Sequence, residues 1–185
     1  ESFYFDIKDL SYKKINFKKI PNNLKNIIND PLFFGKNGSY SIKDMIIIDD
    51  YLYISYTKLV KQLHCYNTSI LKSKLNLNKL FFEEFFTYND CIDKLQTKEY
   101  LAHLAGGRFA NYKNKILFSI GEYQQRSLAQ DDKVLFGKII LIDTKTKEYE
   151  VISKGHRNPQ GLLYLVDKEV ILSTEHGPEG GDEIN

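Results

Sequence analysis

Two polar blocks near the end of this 185-residue chain carry the residues best suited to chemistry. The first reads H-R-N-P-Q-G-L from His156, the second T-E-H-G-P-E-G-G-D-E-I-N from Thr174. Arg157 offers a planar fork of donors for carboxylate oxygens and a flat face for ring stacking. Asn158 adds a neutral donor. His176 brings an imidazole that titrates near neutrality, and Asp182 brings a carboxylate. Gly177, Gly180 and Gly181 let backbone approach a ligand closely. Between the blocks, Leu162–Val166 and Val170–Ser173 have strand length and aliphatic content, with Asp167–Glu169 as a turn. A hairpin of that form returns both blocks to one end. Arg157, Asn158, His176 and Asp182 are therefore expected in one wall of a polar site. The plainer alternative is a tight G-P-E-G-G-D turn capped by Asp182.

The elements that must hold this wall recur along the chain. Met45–Ile48 and Tyr51–Tyr56 flank an Asp49-Asp50 turn, and Tyr66–Lys74 and Lys79–Phe86 follow as strands. Gly107–Ala110 and Lys115–Ile120 flank Lys113-Asn114, followed by Phe136–Asp143 and Glu148–Ser153. The equivalent second strands read Y-L-Y-I-S-Y, K-I-L-F-S-I and E-V-I-L-S-T, and their serines Ser55, Ser119 and Ser173 lie 64 and 54 residues apart by subtraction. Repeats of four strands at this period fit propeller blades, and regular hairpins also fit a β-sandwich. Phe3–Ile7 and Ile15–Ile20 carry weak strand signals, Asn22–Asn29 a short helical one, and Asp90–Glu99 reads as irregular or briefly helical.

Composition narrows the class. Formal charge is +2 and aromatic content is 14%, all Phe and Tyr, which leans towards β structure and away from nucleic-acid attraction. No apolar run approaches the ~20 residues of a membrane span. Two cysteines, Cys65 and Cys91, flank neighbouring strand candidates, and their count alone fits thiols as well as a bridge. They are expected within bridging range, which an exported setting would favour. Asn67-Thr68-Ser69 matches a glycosylation sequon.

The two polar blocks closely resemble the soluble quinoprotein glucose/sorbosone and aldose sugar dehydrogenases. A-H-L-A-G-G-R-F around His103, S-I-G-E-Y around Glu122 and A-Q-D-D-K-V-L-F-G-K from Ala129 extend the resemblance. It implies an all-β fold, a six-bladed β-propeller of which this chain holds about two to three blades. Residues 1–42 would be an N-terminal region. Residues 43–185 would be the partial propeller, with blades at about 43–90 and 103–154 and a third starting at 155–185. The chain opens at Glu1 and ends inside the resembled motif, and is expected to be the N-terminal portion of a longer, periplasmic or secreted enzyme.

The same resemblance implies pyrroloquinoline quinone (PQQ) and Ca²⁺ as cofactors, a small sugar as substrate and an external electron acceptor. His103 would be the base that takes the proton of a sugar hydroxyl. Glu122 and Asp182 would support that base, with Asp182 pairing with it. Arg157 and Asn158 would contact PQQ, and His176 the cofactor or substrate. The backbone carbonyls of Gly177 and Pro178 would ligate Ca²⁺, a hard cation suited to oxygen. Gln130 and Asp131 would line the rim, Gly137-Lys138 would serve strand geometry, and His156 would face away without a role. Further PQQ contacts and Ca²⁺ ligands would belong to later blades, so this chain alone is expected to be inactive. Two other readings stay open: a non-catalytic propeller that binds a protein or glycan, and a Ca²⁺-dependent hydrolase or lactonase, which needs carboxylate ligands that this chain does not display.

Overall fold

The computed structural model describes residues 2–17, 42–61, 65–93 and 102–185. The strands, in chain order, are β1 (Ser2–Asp6), β2 (Ser11–Phe17), β3 (Ile42–Ile48), β4 (Tyr51–Lys61), β5 (Cys65–Lys74), β6 (Lys79–Leu80), β7 (Glu83–Phe86) and β8 (Ile92–Asp93). They continue as β9 (Gly106–Tyr112), β10 (Lys115–Ile120), β11 (Lys138–Ile142), β12 (Tyr149–Lys154), β13 (Pro159–Leu165), β14 (Val170–Glu175) and β15 (Glu183–Ile184). The only helical elements among the described residues are short 3₁₀ turns at Arg126–Ala129 and Val166–Lys168. No helix among them is long and apolar enough to cross a membrane.

Three antiparallel sheets follow one another. The first runs β3-β4-β5-β7, the second β9-β10-β11-β12 and the third β13-β14-β15. Two tight hairpins have the polar dipeptides that the sequence suggests. Asp49 and Asp50 sit at φ 48° and 62°, and Lys113 and Asn114 at 50° and 65°. Positive φ at both central residues gives the turn whose twist matches paired strands.

The middle sheet explains the apolar runs. Along β10, Ile116, Phe118 and Ile120 pack towards the first sheet with Ile48, Tyr53, Ile70 and Phe109. The alternate residue Leu117 packs with Ile139, Leu141 and Tyr164, towards the third. Side chains alternate across a strand. A sheet buried on both faces therefore favours continuous apolar runs, as Ile116-Leu117-Phe118 and Ile139-Ile140-Leu141-Ile142 supply, with Ser119 buried among them. The sheets are stacked face to face like blades.

The fourth strand of the first sheet is shorter than the sequence suggests. Lys79–Leu80 leaves it and pairs in parallel with Asn16–Phe17 of the small sheet β1-β2-β6. Within Lys79–Phe86, Glu83–Phe86 runs beside β5, and β8 pairs with the start of the same strand. The hydroxyl of Ser73 accepts the Phe81 amide at 2.9 Å, which takes that amide out of any ladder. The signal at Phe3–Ile7 and Ile15–Ile20 corresponds to β1 and β2, as far as Phe17. The Asn22–Asn29 helix and most of Asp90–Glu99 lie outside the described residues.

Cys65 and Cys91 form a disulfide with Cα atoms 5.2 Å apart, tying the start of β5 to the segment entering β8. The sequon is not a glycosylation acceptor in this fold. Asn67 is fully buried in β5, and its Nδ2 donates to the carbonyls of Tyr88 at 2.8 Å and Asp90 at 3.1 Å.

Candidate functional site

The innermost strand β9 stands between β3 and β13. A belt of hydrogen bonds joins them. Arg108 donates through Nη1 to the carbonyl of Lys43 at 2.8 Å and through Nη2 to Gln160 Oε1 at 2.7 Å. Gln160 Nε2 donates to Asn158 Oδ1 at 2.7 Å, which also accepts the Gly106 amide at 3.2 Å. Asn158 is buried, and its Oδ1 is held by these two donors. Gly107 must be glycine. Its φ is +90°, and a Cβ there would meet the Lys43 side chain at 2.7 Å.

His103 rides on the loop before β9. Ala102, Leu104 and Ala105 are buried on either side of it, and His103 itself is exposed. The turn after β10 pins this loop, with the Gly121 and Tyr123 amides donating to Ala105 and Leu104 at 2.9 and 3.0 Å. Partial burial, then the positive charges of Lys43 and Arg157, hold the His103 pKa below its ordinary value. Lys43 is itself pushed down to about 8 by burial and by Arg108. Lys43 and Arg157 thus put positive charge within reach of His103.

Arg157 is tied to the second block. Nη1 donates to the carbonyls of His176 at 2.7 Å and Gly177 at 2.8 Å. Its Nε is buried without a hydrogen-bond partner and stands 3.9 Å from Glu122 Oε1, which is equally unpartnered. Burial raises the Glu122 pKa, with Arg157 and Arg126 opposing and Glu175 reinforcing the rise. Glu122 therefore faces Arg157, and no hydrogen bond joins it to His103 as its expected support. The Glu122 amide does bond to the Arg157 carbonyl at 3.0 Å, which fixes the two turns together.

The second block folds as the plainer alternative describes. Asp182 Oδ1 accepts the Gly177 amide at 3.0 Å, and Gly181 N donates to the Pro178 carbonyl at 2.7 Å. Gly177 has no room for a side chain, because a Cβ would collide with the Gly181 carbonyl. The expected pairing of Asp182 with His103 is absent. Its other oxygen lies 3.7 Å from His176 Nδ1, and both side chains are largely exposed. The turn needs a short carboxylate close to its own amides, and that outcompetes a longer reach to another blade. A cleft of about 360 Å³ opens beside it, lined in part by Gln160, Thr174, His176 and Asp182.

The Gly177 and Pro178 carbonyls do not fit a Ca²⁺ ion in this arrangement. Gly177 O already holds the Arg157 guanidinium and Pro178 O the Gly181 amide. A divalent cation at the first would stand against a fixed positive charge.

His156 needs correction. Its ring is buried against Glu175, with Nδ1 on Oε1 and Nε2 2.8 Å from Ser153 Oγ. Gln130 is exposed, and Asp131 caps a local turn through the Lys133 amide at 2.9 Å. Lys138 does more than serve the strand. Its buried ammonium donates to the carbonyls of Leu128, Ala129 and Phe136 at 2.8–3.0 Å. Sequence reasoning missed Arg108, Gln160, Lys43 and Glu175. The available sign for Gln160 was its place two residues after Asn158, at the start of a strand.

Stacked antiparallel sheets of this kind are those of a β-propeller. The glucose / sorbosone dehydrogenase family pattern matches residues 48–185, and the chain belongs to that family. An aldose sugar dehydrogenase of Escherichia coli (strain K12), YliI, is 33% identical over 96 residues, covering 45% of this chain and 26% of that protein. The apo-form crystal structure of the soluble E. coli aldose sugar dehydrogenase matches with a TM-score of 0.62 at 25% identity, over 80% of this chain and 46% of that one. A glucose dehydrogenase structure superposes at a TM-score of 0.66, with 24% identity and the same coverage. The PQQ-bound aldose sugar dehydrogenase of Streptomyces coelicolor superposes at 0.58, with 24% identity, over 74% of this chain and 41% of that one. The chain thus spans less than half the length of these relatives.

Proposed function

We propose that this chain forms part of a dehydrogenase that oxidises an aldose at C1 with PQQ, in a periplasmic or secreted setting. The observation that carries the proposal is Arg157. Its guanidinium carries a buried, unpartnered Nε, next in sequence to the buried Asn158 side chain and within electrostatic reach of His103. That donor set fits a planar quinone bearing carboxylates, because Arg offers both a fork for the oxygens and a face for the ring. The PQQ-bound S. coelicolor relative and the family membership support the choice of cofactor.

When bound, PQQ supplies the ortho-quinone that accepts the hydride from C1. Arg157 and Asn158 orient it and stabilise negative charge developing on its oxygens. An imidazole nitrogen of His103 takes the proton of the anomeric hydroxyl. Its depressed pKa keeps it neutral, and so able to accept, at pH 7. Glu122 balances the Arg157 charge. Ca²⁺ enters none of these steps, since it and Arg157 compete for the Gly177 carbonyl. Electrons then leave to an external acceptor. The disulfide supports the oxidising setting.

The test is reconstitution of the complete protein with PQQ, followed by an aldose panel with an artificial dye acceptor. PQQ- and aldose-dependent dye reduction is expected. Tight PQQ binding with no aldose oxidised would favour a binding module of the same lineage.

A further inference from the structure

Glu175 and His156 are buried and titratable, and the proposed chemistry uses neither. Glu175 ends β14, yet both its oxygens turn back onto the start of β13. Oε1 meets His156 Nδ1, whose other nitrogen reaches Ser153 Oγ at 2.8 Å. Oε2 accepts the Arg157 backbone amide at 2.9 Å, and the nearby Asn158 amide also favours the charged carboxylate. The two side chains are 8% and 6% exposed. A carboxylate buried this deeply persists when donors surround it. Burial opposes its charge, and His156 with the two amides outweighs burial, so its pKa lies below the ordinary value.

We infer that Glu175 is the positioning residue of the site, its carboxylate holding the His156–Asn158 turn so that the Arg157 and Asn158 side chains are held in place. Consecutive amides converging on one anion form a tight, fixed turn. The next residue, His176, gives its carbonyl to Arg157 Nη1 at 2.7 Å and its amide to the Asn158 carbonyl at 3.3 Å. One strand end therefore grips Arg157 from below through its backbone and from the side through its guanidinium. His156 serves as the third donor and makes the charged form of Glu175 tolerable in the interior.

The inference rests on the proposed role of Arg157 in PQQ binding, and the test separates the two. Glu175→Gln keeps size and one acceptor but turns an NH₂ towards an amide that needs an acceptor. In the complete, cofactor-free protein, hydrogen–deuterium exchange at the Arg157 and Asn158 amides should accelerate at least tenfold, with the Phe118 amide in β10 unchanged. PQQ titration followed by absorbance should show affinity falling about 10–100-fold, the usual scale for a residue that orients a ligand-binding group. In an Arg157→Ala background the same change should cost little further, because the group it positions is gone. Unchanged exchange overturns the inference, and so does a PQQ loss equally large with and without Arg157. If Arg157→Ala leaves PQQ affinity untouched while exchange still accelerates, the reading of Arg157 as a PQQ contact fails and the hold on the turn stands.

Discussion

The guanidinium of Arg157 donates to the carbonyl of Gly177 at 2.8 Å, so an internal cation sits where the sequence resemblance would put Ca²⁺. Asp182 holds that turn in place through the Gly177 amide. Replacing Arg157 by Gln removes the positive charge and frees the carbonyl. A hydrogen bond to a charged group contributes about 1.5–3 kcal/mol, which corresponds to roughly ten- to hundredfold in affinity. Arg157→Gln should raise the Ca²⁺ affinity of the cofactor-free protein by that order, as read by calorimetric titration. Equal Ca²⁺ binding by both proteins would contradict the competition.

The base should respond to charges around it. Lys43 and Arg157 both disfavour the imidazolium of His103, behind partial burial as the larger cause. The neutral, active form therefore persists to lower pH than an ordinary histidine near 6.5 would allow. Lys43→Met removes one of those charges, so the rising limb of kcat/KM against pH should move to higher pH. A limb that stays put, or moves to lower pH, would show that Lys43 does not act on His103.

The disulfide should contribute measurably to stability. Cys65 and Cys91 close a loop with a sequence separation of 26. Loop-closure entropy for that length stabilises by about 3 kcal/mol. Cys91→Ser should lower the free energy of unfolding by that order in denaturant titration, and reductant should leave the variant unaffected while destabilising the parent. Equal midpoints for variant and parent would show that the bridge adds nothing.

Ser55 and Ser119 are legible in the sequence only as markers of a repeat. Their physical work is between blades. Ser55 Oγ donates to the Gly107 carbonyl of the next blade at 2.5 Å, and Ser119 Oγ reaches the Pro159 carbonyl of the one after at 3.5 Å. Ser55→Ala should leave a buried carbonyl unpartnered and cost about 1–3 kcal/mol. Thermal unfolding of the complete protein reads this, and a variant as stable as the parent would argue against it.

What the sequence made legible was local. Polar dipeptides such as Asp49-Asp50 and Lys113-Asn114 announce hairpins because few residues adopt positive φ easily. The convergence of the two polar blocks follows from the hairpin between them. Partnerships across blades were not legible. Glu122 and Asp182 read as supports for His103, yet Glu122 Oε1 stands unpartnered 3.9 Å from Arg157 Nε, and Asp182 accepts the Gly177 amide of its own turn. Glu175 at a strand end reads as a solvated carboxylate, and only the register Pro159↔Glu175 places it under the His156 turn. The pairing of Lys79–Leu80 with β2 joins segments far apart in sequence, with no local signal to announce it.

The central claim is that His103 takes a proton from an aldose beside a cofactor held by Arg157 and Asn158. The most direct measurement is turnover of the PQQ-reconstituted complete protein and its His103→Ala variant with the best aldose, alongside a PQQ titration of each. Loss of a general base lowers rate by about 10²–10⁴-fold. The account predicts a fall of that size with PQQ affinity unchanged, because His103 is not the group that holds the cofactor. Turnover by the variant equal to that of the parent would contradict it.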